Sequence, residues 1–180
     1  MENKRNCFWQ TLYTLCAVFL FGAVIGWTYE LLLRRITGDA WVNPGMLFGP
    51  YLPIYGFGAA TLFGLAYVPI PVKNKFWKGA AQLLLTGIIL TAVEYIGGLI
   101  FVRWMGLDLW SYEQFSYNVQ GIICPLCSLG WALAGGAYLW FLHPLVLRLQ
   151  KHVLSAQTAR FLLAFAIGAV CADFLITIFL

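Results

Sequence analysis

Three acids stand inside apolar runs, Glu30, Glu94 and Asp173. A charge near the bilayer centre costs at least about 2.5 kcal/mol on insertion scales, so such groups face protein, water or a ligand rather than lipid. Glu30 precedes Arg34 by four residues, a spacing that permits a helical salt bridge. Glu94 has no opposite charge within a turn, so its partner comes from another segment or it holds a proton. Gly87, Thr91, Glu94 and Gly98 share one helical face, small and polar enough to be buried against other helices. Asp173 shares a face with Ala166, Ala169 and Thr177, and a structural hydrogen bond explains it as well as a role in a site does.

Cys124-Pro-Leu-Cys127 has the Cys-x-x-Cys spacing of redox and metal sites. It lies at the start of an apolar run with no second Cys pair and no nearby His, so zinc is not expected. Ordinary buried cysteine is the default reading, with a disulfide or thiol exchange as the alternative. Cys7, Cys16 and Cys171 read as packing or lipid-facing residues. His143 and His152 fall far from the acids, which excludes a Ser-His-Asp arrangement, and no Gly-x-x-x-x-Gly-Lys-Ser/Thr phosphate loop occurs. No catalytic residue, metal or cofactor is assigned, and any ATP hydrolysis must come from another subunit.

The elements that position these groups are membrane helices. Of 180 residues, 62% are apolar and only 10% charged, where soluble domains carry about 25% charged residues. Roughly 20 helical residues cross a hydrocarbon core of about 30 Å. The expected fold is all-α, a polytopic transmembrane bundle of about five helices in one integral membrane domain, residues 1–180, with spans near 8–33, 51–71, 79–102, 119–147 and 161–180. The first run, Phe8 to Leu33, is too long for a signal-peptide core of 7 to 15 residues and is read as a retained helix.

Five crossings put the termini on opposite sides. Lys4, Arg5, Lys73, Lys75, Lys78, Arg148, Lys151 and Arg160 gather on the N-terminal side, against Arg34, Arg35 and Arg103 on the other. That asymmetry predicts a cytoplasmic N-terminus and an extracytoplasmic C-terminus in the cell membrane. Asp39, Asp108 and Glu113 in the outer loops point the same way. The net charge of +4 thus reads as topology signals, and no basic stripe or nucleic-acid motif appears.

Two segments depart from plain helix. In the stretch from Asn43 to Gly58, Pro and Gly recur inside an apolar run, which fits a broken or re-entrant entry to the second helix or an interfacial loop leading into it. The loop from Arg103 to Asn118 is rich in aromatic residues and suits an interfacial belt. Arg103 is the nearest basic candidate to balance Glu94, with Arg34 and Arg35 approaching from the first helix. Glu30, Glu94, Arg103, Asn118, Tyr29, Tyr55 and Tyr95 all fall in the outer half, as a polar ligand pocket walled by aromatics would require.

The ordered motifs Gly26-Trp-Thr-Tyr-Glu30, Asn43, Leu47-Phe-Gly-Pro50, Pro53-Ile-Tyr-Gly56, Glu94-Tyr95, Arg103-Trp104, Trp110-Ser-Tyr112 and Asn118-Val-Gln-Gly121 resemble the bacterial ABC-transporter type IV membrane family. The resemblance runs from about residue 22 to 144, ending in Trp131 and Pro144. It implies a permease-like role and adds Trp27, Asn43, Trp104 and Tyr112 to the candidate ligand-binding set. In that family the loop commonly reads Arg-Trp-Trp-Asp-Tyr-Ser, whereas here Met-Gly-Leu-Asp-Leu separates Arg103-Trp104 from Trp110-Ser-Tyr112, and one Cys with aliphatics is usual where this chain has Cys124 and Cys127.

The leading expectation is a multi-pass transporter membrane subunit with a small-molecule ligand, set among membrane lipids. Five helices are few for a solitary pore, so a homo-oligomer or a separate ATPase subunit is the expected partner. The alternatives are a lipid- or ligand-binding membrane scaffold without turnover, or an embedded enzyme at the outer leaflet with Glu30 or Glu94 as acid or base.

Overall fold

The computed structural model describes residues 2–38, 43–107, 109–152 and 156–179, the side chains of residues 2–7 and of His152 excepted. Asp39 and Asp108, and the side chains of Lys4, Arg5, Cys7 and His152, lie outside the described residues. The architecture is all-α and transmembrane, as hydropathy requires. Among the described residues four helical stretches, Phe8–Thr37, Lys75–Trp104, Pro125–Lys151 and Gln157–Phe179, are long and apolar enough to cross a bilayer. Among the described residues no strand forms beyond one isolated antiparallel bridge between Val119 and Ile123.

The chain divides into two compact units, one of Met1–Ala60 with Pro144–Leu180 and the other of Thr61–His143. In the first, α1 (Glu2–Thr37) packs on α6 (Gln157–Phe179), with the Arg160 guanidinium over the Tyr13 ring at 5.8 Å. The Thr14 and Thr28 hydroxyls on α1 donate to the carbonyls of Gln10 and Val24, a local solution for polar groups in an apolar span. α5 (His143–His152) precedes α6 in the chain.

The second helix is the irregular one. α2 (Pro53–Leu65) has 13 residues, about 20 Å of rise against a core of about 30 Å. It begins beside the middle of α1, because the Leu52 amide donates to the Ala23 carbonyl at 2.9 Å and Ala23 lies near the midpoint of Phe8–Thr37. Residues 43–52 descend to that level as a series of bends. Pro44, Pro50 and Pro53 bias their neighbours away from helix, and Pro53 then opens α2 where its missing N–H costs nothing. Pro69 and Pro71 follow the other end, so the helix stops well short of residue 71. The broken entry to the second helix is therefore present in the fold.

In the second unit α3 (Lys75–Gly98) is opened by Asn74, whose side chain accepts the amides of Phe76 and Trp77. It continues through a π-helical turn, Leu99–Trp104. α4 (Pro125–Ala137) runs on through a second π-helical turn, Tyr138–Leu142. The two helices approach closely at small residues, where Gly87 faces Ala132, Gly135 faces Thr86 and Gly136 faces Leu83. Residues 119–124, placed by hydropathy in the fourth span, form a tight turn instead. Gln120 and Gly121 both have positive φ, 57° and 69°, which no helix accommodates.

Candidate functional site

In the first unit the candidate groups are assembled by the close contact of α1 with the broken segment. Gly26 on α1 leaves room for the Tyr55 ring, which a Cβ at that position would overlap. The Tyr55 hydroxyl thereby reaches Glu30 and donates to its Oε1. Glu30 thus turns to a tyrosine from the second helix rather than to Arg34, the cheaper local partner allowed by spacing. Tyr29 stacks near the same ring at 6.3 Å between centroids, tilted and half-exposed itself. One turn earlier, Trp27 Nε1 donates to Asn43 Oδ1 at 2.8 Å. Asn43 in turn donates to the Leu47 carbonyl and accepts the Gly45 amide, an Asx turn that starts the descent of the segment.

Asp173 on α6 supplies the second anchor. Its carboxylate accepts the amides of Phe48 at 3.1 Å and Gly49 at 2.8 Å, the Tyr51 hydroxyl, and the Thr177 hydroxyl at 3.3 Å. Backbone groups released from helix at membrane depth need acceptors from protein, and one carboxylate satisfies two amides at once. Asp173 and Tyr51 were absent from the sequence-derived site. The available signal was an intramembrane acid one turn before Thr177, facing a Pro/Gly-rich segment with free amides.

In the second unit Glu94 is only 4% exposed. Counting from Trp104, it lies about 15 Å inside the helical stretch at 1.5 Å per residue. The Tyr112 hydroxyl donates to Glu94 Oε1 at 2.9 Å, across 18 residues of chain. Four residues beyond Glu94, Gly98 lets the buried Ile122 side chain seat directly on α3, which brings the loop against the acid's face of the helix. The loop is cross-tied by Tyr112 N–H to the Gly121 carbonyl at 2.7 Å and by Trp110 Nε1 to the Ile122 carbonyl at 3.0 Å.

Arg103 and Asn118 serve this loop. The Arg103 guanidinium donates to the Gln120 carbonyl at 3.0 Å, so it steadies the turn, while the hydroxyl of Tyr112 donates to Glu94. Asn118 donates to the carbonyls of Phe115 and Glu113 and accepts the Gly121 amide at 3.0 Å. Together they hold the positive φ of Tyr117, Gln120 and Gly121, conformations that cost energy at the two non-glycine positions. Trp104 is 82% exposed on the flank of its helix, whereas Tyr95 is half-buried. Burial pushes the Tyr112 phenol far above its ordinary value, and the negative charge of Glu94 adds to the shift. Tyr112 therefore remains a donor at any physiological pH. Among the described residues no group of three or more His, Cys, Asp or Glu side chains could hold a metal.

A broken helix is thus pinned by a carboxylate, and a buried glutamate is held by a loop tyrosine. The family described as "Putative ABC-transporter type IV" matches residues 17–178. The chain belongs to this family. Membership in the type IV family takes in both tyrosine-held glutamates and, beyond the stretch carried by the loop motifs, α6 with Asp173 and Thr177. Among the described residues, four helices long and apolar enough to cross a membrane fit a membrane component of a transporter. No curated protein and no solved structure matches the chain.

Proposed function

We propose that this chain is the membrane subunit of a transporter, and that its small-molecule ligand meets the tyrosine-held carboxylate Glu94 in the outer half of the bilayer; Glu30, held by Tyr55, is proposed as a ligand-binding carboxylate of the first unit taken by itself. The observation that carries this reading is the burial of Glu94 inside an apolar span, with a tyrosine hydroxyl from a separate loop on its Oε1. A purely structural role could be filled at lower cost by Gln or Ser, because an intramembrane carboxylate is expensive wherever it is not used. The discontinuous α2, starting at mid-depth, supports the same reading, since transporter sites are commonly built where helices break.

Trp27, Tyr29, Tyr55 and Asn43 in the first unit, and Tyr95, Trp104, Tyr112, Arg103 and Asn118 in the second, are proposed as aromatic walls and hydrogen-bonding supports. No phosphate loop is present in the sequence, so ATP hydrolysis falls to a separate subunit. That subunit would dock on the basic stretches Lys73–Lys78 and Arg148–Arg160, which the charge asymmetry places in the cytoplasm. The N-terminus is then cytoplasmic and the C-terminus extracytoplasmic.

The test is native mass spectrometry of the chain extracted gently from its own membranes. The expected result is a co-extracted nucleotide-hydrolysing subunit, together with a small molecule that is lost from Glu94→Gln while the subunit stays bound. A ligand fully retained by Glu94→Gln, a bound lipid with no turnover and no partner, or product formation by the isolated chain would each overturn the proposal.

A further inference from the structure

Cys124 and Cys127 are placed to exchange electrons with one another. Cys124 is the N-cap of α4, and its sulfur accepts the Cys127 amide at 3.3 Å. Pro125 at the first helical position holds the turn in shape. The two sulfurs are in contact at 2.8 Å, with the Cys124 thiol directed at Cys127. Residues three apart in a helical turn have β-carbons about 5 to 6 Å apart, a modest closure from the separation of roughly 3.5–4.5 Å found in disulfides. Both thiols are free. Cys124 is 2% exposed and Cys127 is partly exposed, so the pair has one inner and one more approachable sulfur. The Tyr112 hydroxyl that holds Glu94 also lies beside the Cys127 thiol.

From this geometry we infer that Cys124 and Cys127 form a reversible dithiol–disulfide site, taking as its co-substrate a disulfide compound approached from the Cys127 side. Cys127, as its thiolate, attacks one sulfur of the external disulfide. The external S–S bond breaks, one thiol leaves with the proton given up by Cys127, and a mixed disulfide remains on Cys127. Cys124, deprotonated in turn, attacks the Cys127 sulfur and expels the second thiol. Two protein S–H bonds become one S–S bond, the external S–S becomes two S–H, and two electrons pass from protein to co-substrate. The second step is intramolecular, and the existing contact favours it. In the orientation proposed above this end of α4 faces away from the cytoplasm, where disulfides persist. The chemistry itself does not depend on what the chain transports.

The chain in lipid nanodiscs, equilibrated with oxidised and reduced glutathione at graded ratios, alkylated and digested for peptide mass, tests the assignment. The expected result is a cooperative loss of both alkylations on the Cys124–Cys127 peptide as the oxidised fraction rises, reversed by excess reduced glutathione. Cys16→Ser and Cys171→Ser leave this transition unchanged. In Cys124→Ser, where serine preserves the helix cap, a glutathione adduct accumulates on Cys127 with no internal disulfide. Full alkylation of both residues in wholly oxidised glutathione, or a disulfide joining either one to another cysteine, would overturn the inference. Peptide mapping of the wild-type chain decides the matter even if a serine variant fails to fold.

Discussion

Asp173 on α6 accepts the Gly49 amide at 2.8 Å, and through that bond a carboxylate fixes the backbone of a segment more than a hundred residues away. The same carboxylate takes the Phe48 amide and the Tyr51 hydroxyl. The broken entry to α2 is therefore held by an acid from another span, whereas regular helix would satisfy the same amides internally.

Replacing that acid tests its anchoring role. Asp173→Asn keeps one oxygen but turns an amide NH2 toward groups that are themselves donors, and Asp173→Ala leaves all of them without an acceptor. Thermal scanning in mild detergent should show both variants melting several degrees below wild type, with alanine the lower. An unchanged midpoint for Asp173→Ala would show that the segment is held by other contacts.

The pair of Glu94 and Tyr112 should separate folding from function. In Glu94→Gln the side-chain oxygen still accepts the Tyr112 hydroxyl, so the melting midpoint stays near wild type while ligand binding falls. Tyr112→Phe removes the donor from a buried carboxylate, at a cost of roughly 1–3 kcal/mol. The double variant Glu94→Gln/Tyr112→Phe should lose less than the sum of the two single effects, since both act on one bond.

Tyr112 also sets an expectation for pH. Its phenol is pushed up by burial and by Glu94. A group with a raised folded value contributes stability that is fully present below its unfolded value, about 10 for tyrosine, and is lost only as pH rises beyond that. Stability between pH 6 and 9 should therefore be insensitive to Tyr112. Ultraviolet titration of the folded chain up to pH 11 should show fewer tyrosines ionising in the wild type than after denaturation, and Tyr112→Phe should reduce that difference by one tyrosine.

Gly26→Ala tests the contact that presents Tyr55 to Glu30. The added methyl would overlap the Tyr55 ring, which has to move away from α1. Overpacking of this kind costs about 1–3 kcal/mol, and any ligand effect of Tyr55→Phe should be reproduced by Gly26→Ala. Ligand affinity that survives Gly26→Ala but not Tyr55→Phe would show that the ring can be accommodated elsewhere.

The orientation rests on charge asymmetry and is open to direct measurement. A membrane-impermeant maleimide applied to intact cells should label Ser111→Cys, in the loop after α3, and should spare Lys73→Cys. Labelling in the reverse pattern would invert the topology.

What the sequence by itself determined is the membrane class and the identity of the groups that matter. Apolar run length, the charges at run ends and three intramembrane acids are local properties, and hydropathy alone exposes them. The Pro and Gly content of Asn43 to Gly58 likewise announces a broken helix, because proline removes an amide and its clash excludes helix before it. Partners are another matter. Spacing allowed Glu30 to meet Arg34, and the nearest cation to Glu94 in the chain was Arg103. Tertiary structure instead gave each glutamate a tyrosine, through Gly26 clearing space for Tyr55 and through Gly98 seating Ile122 so that Tyr112 lies over Glu94. Arg103 was drawn to a carbonyl of the strained 117–121 turn, and Asp173 became the anchor of the descending segment. Which of several donors reaches an acid depends on where helix contact leaves room for a ring or a loop, and that is decided by atoms far apart in the chain.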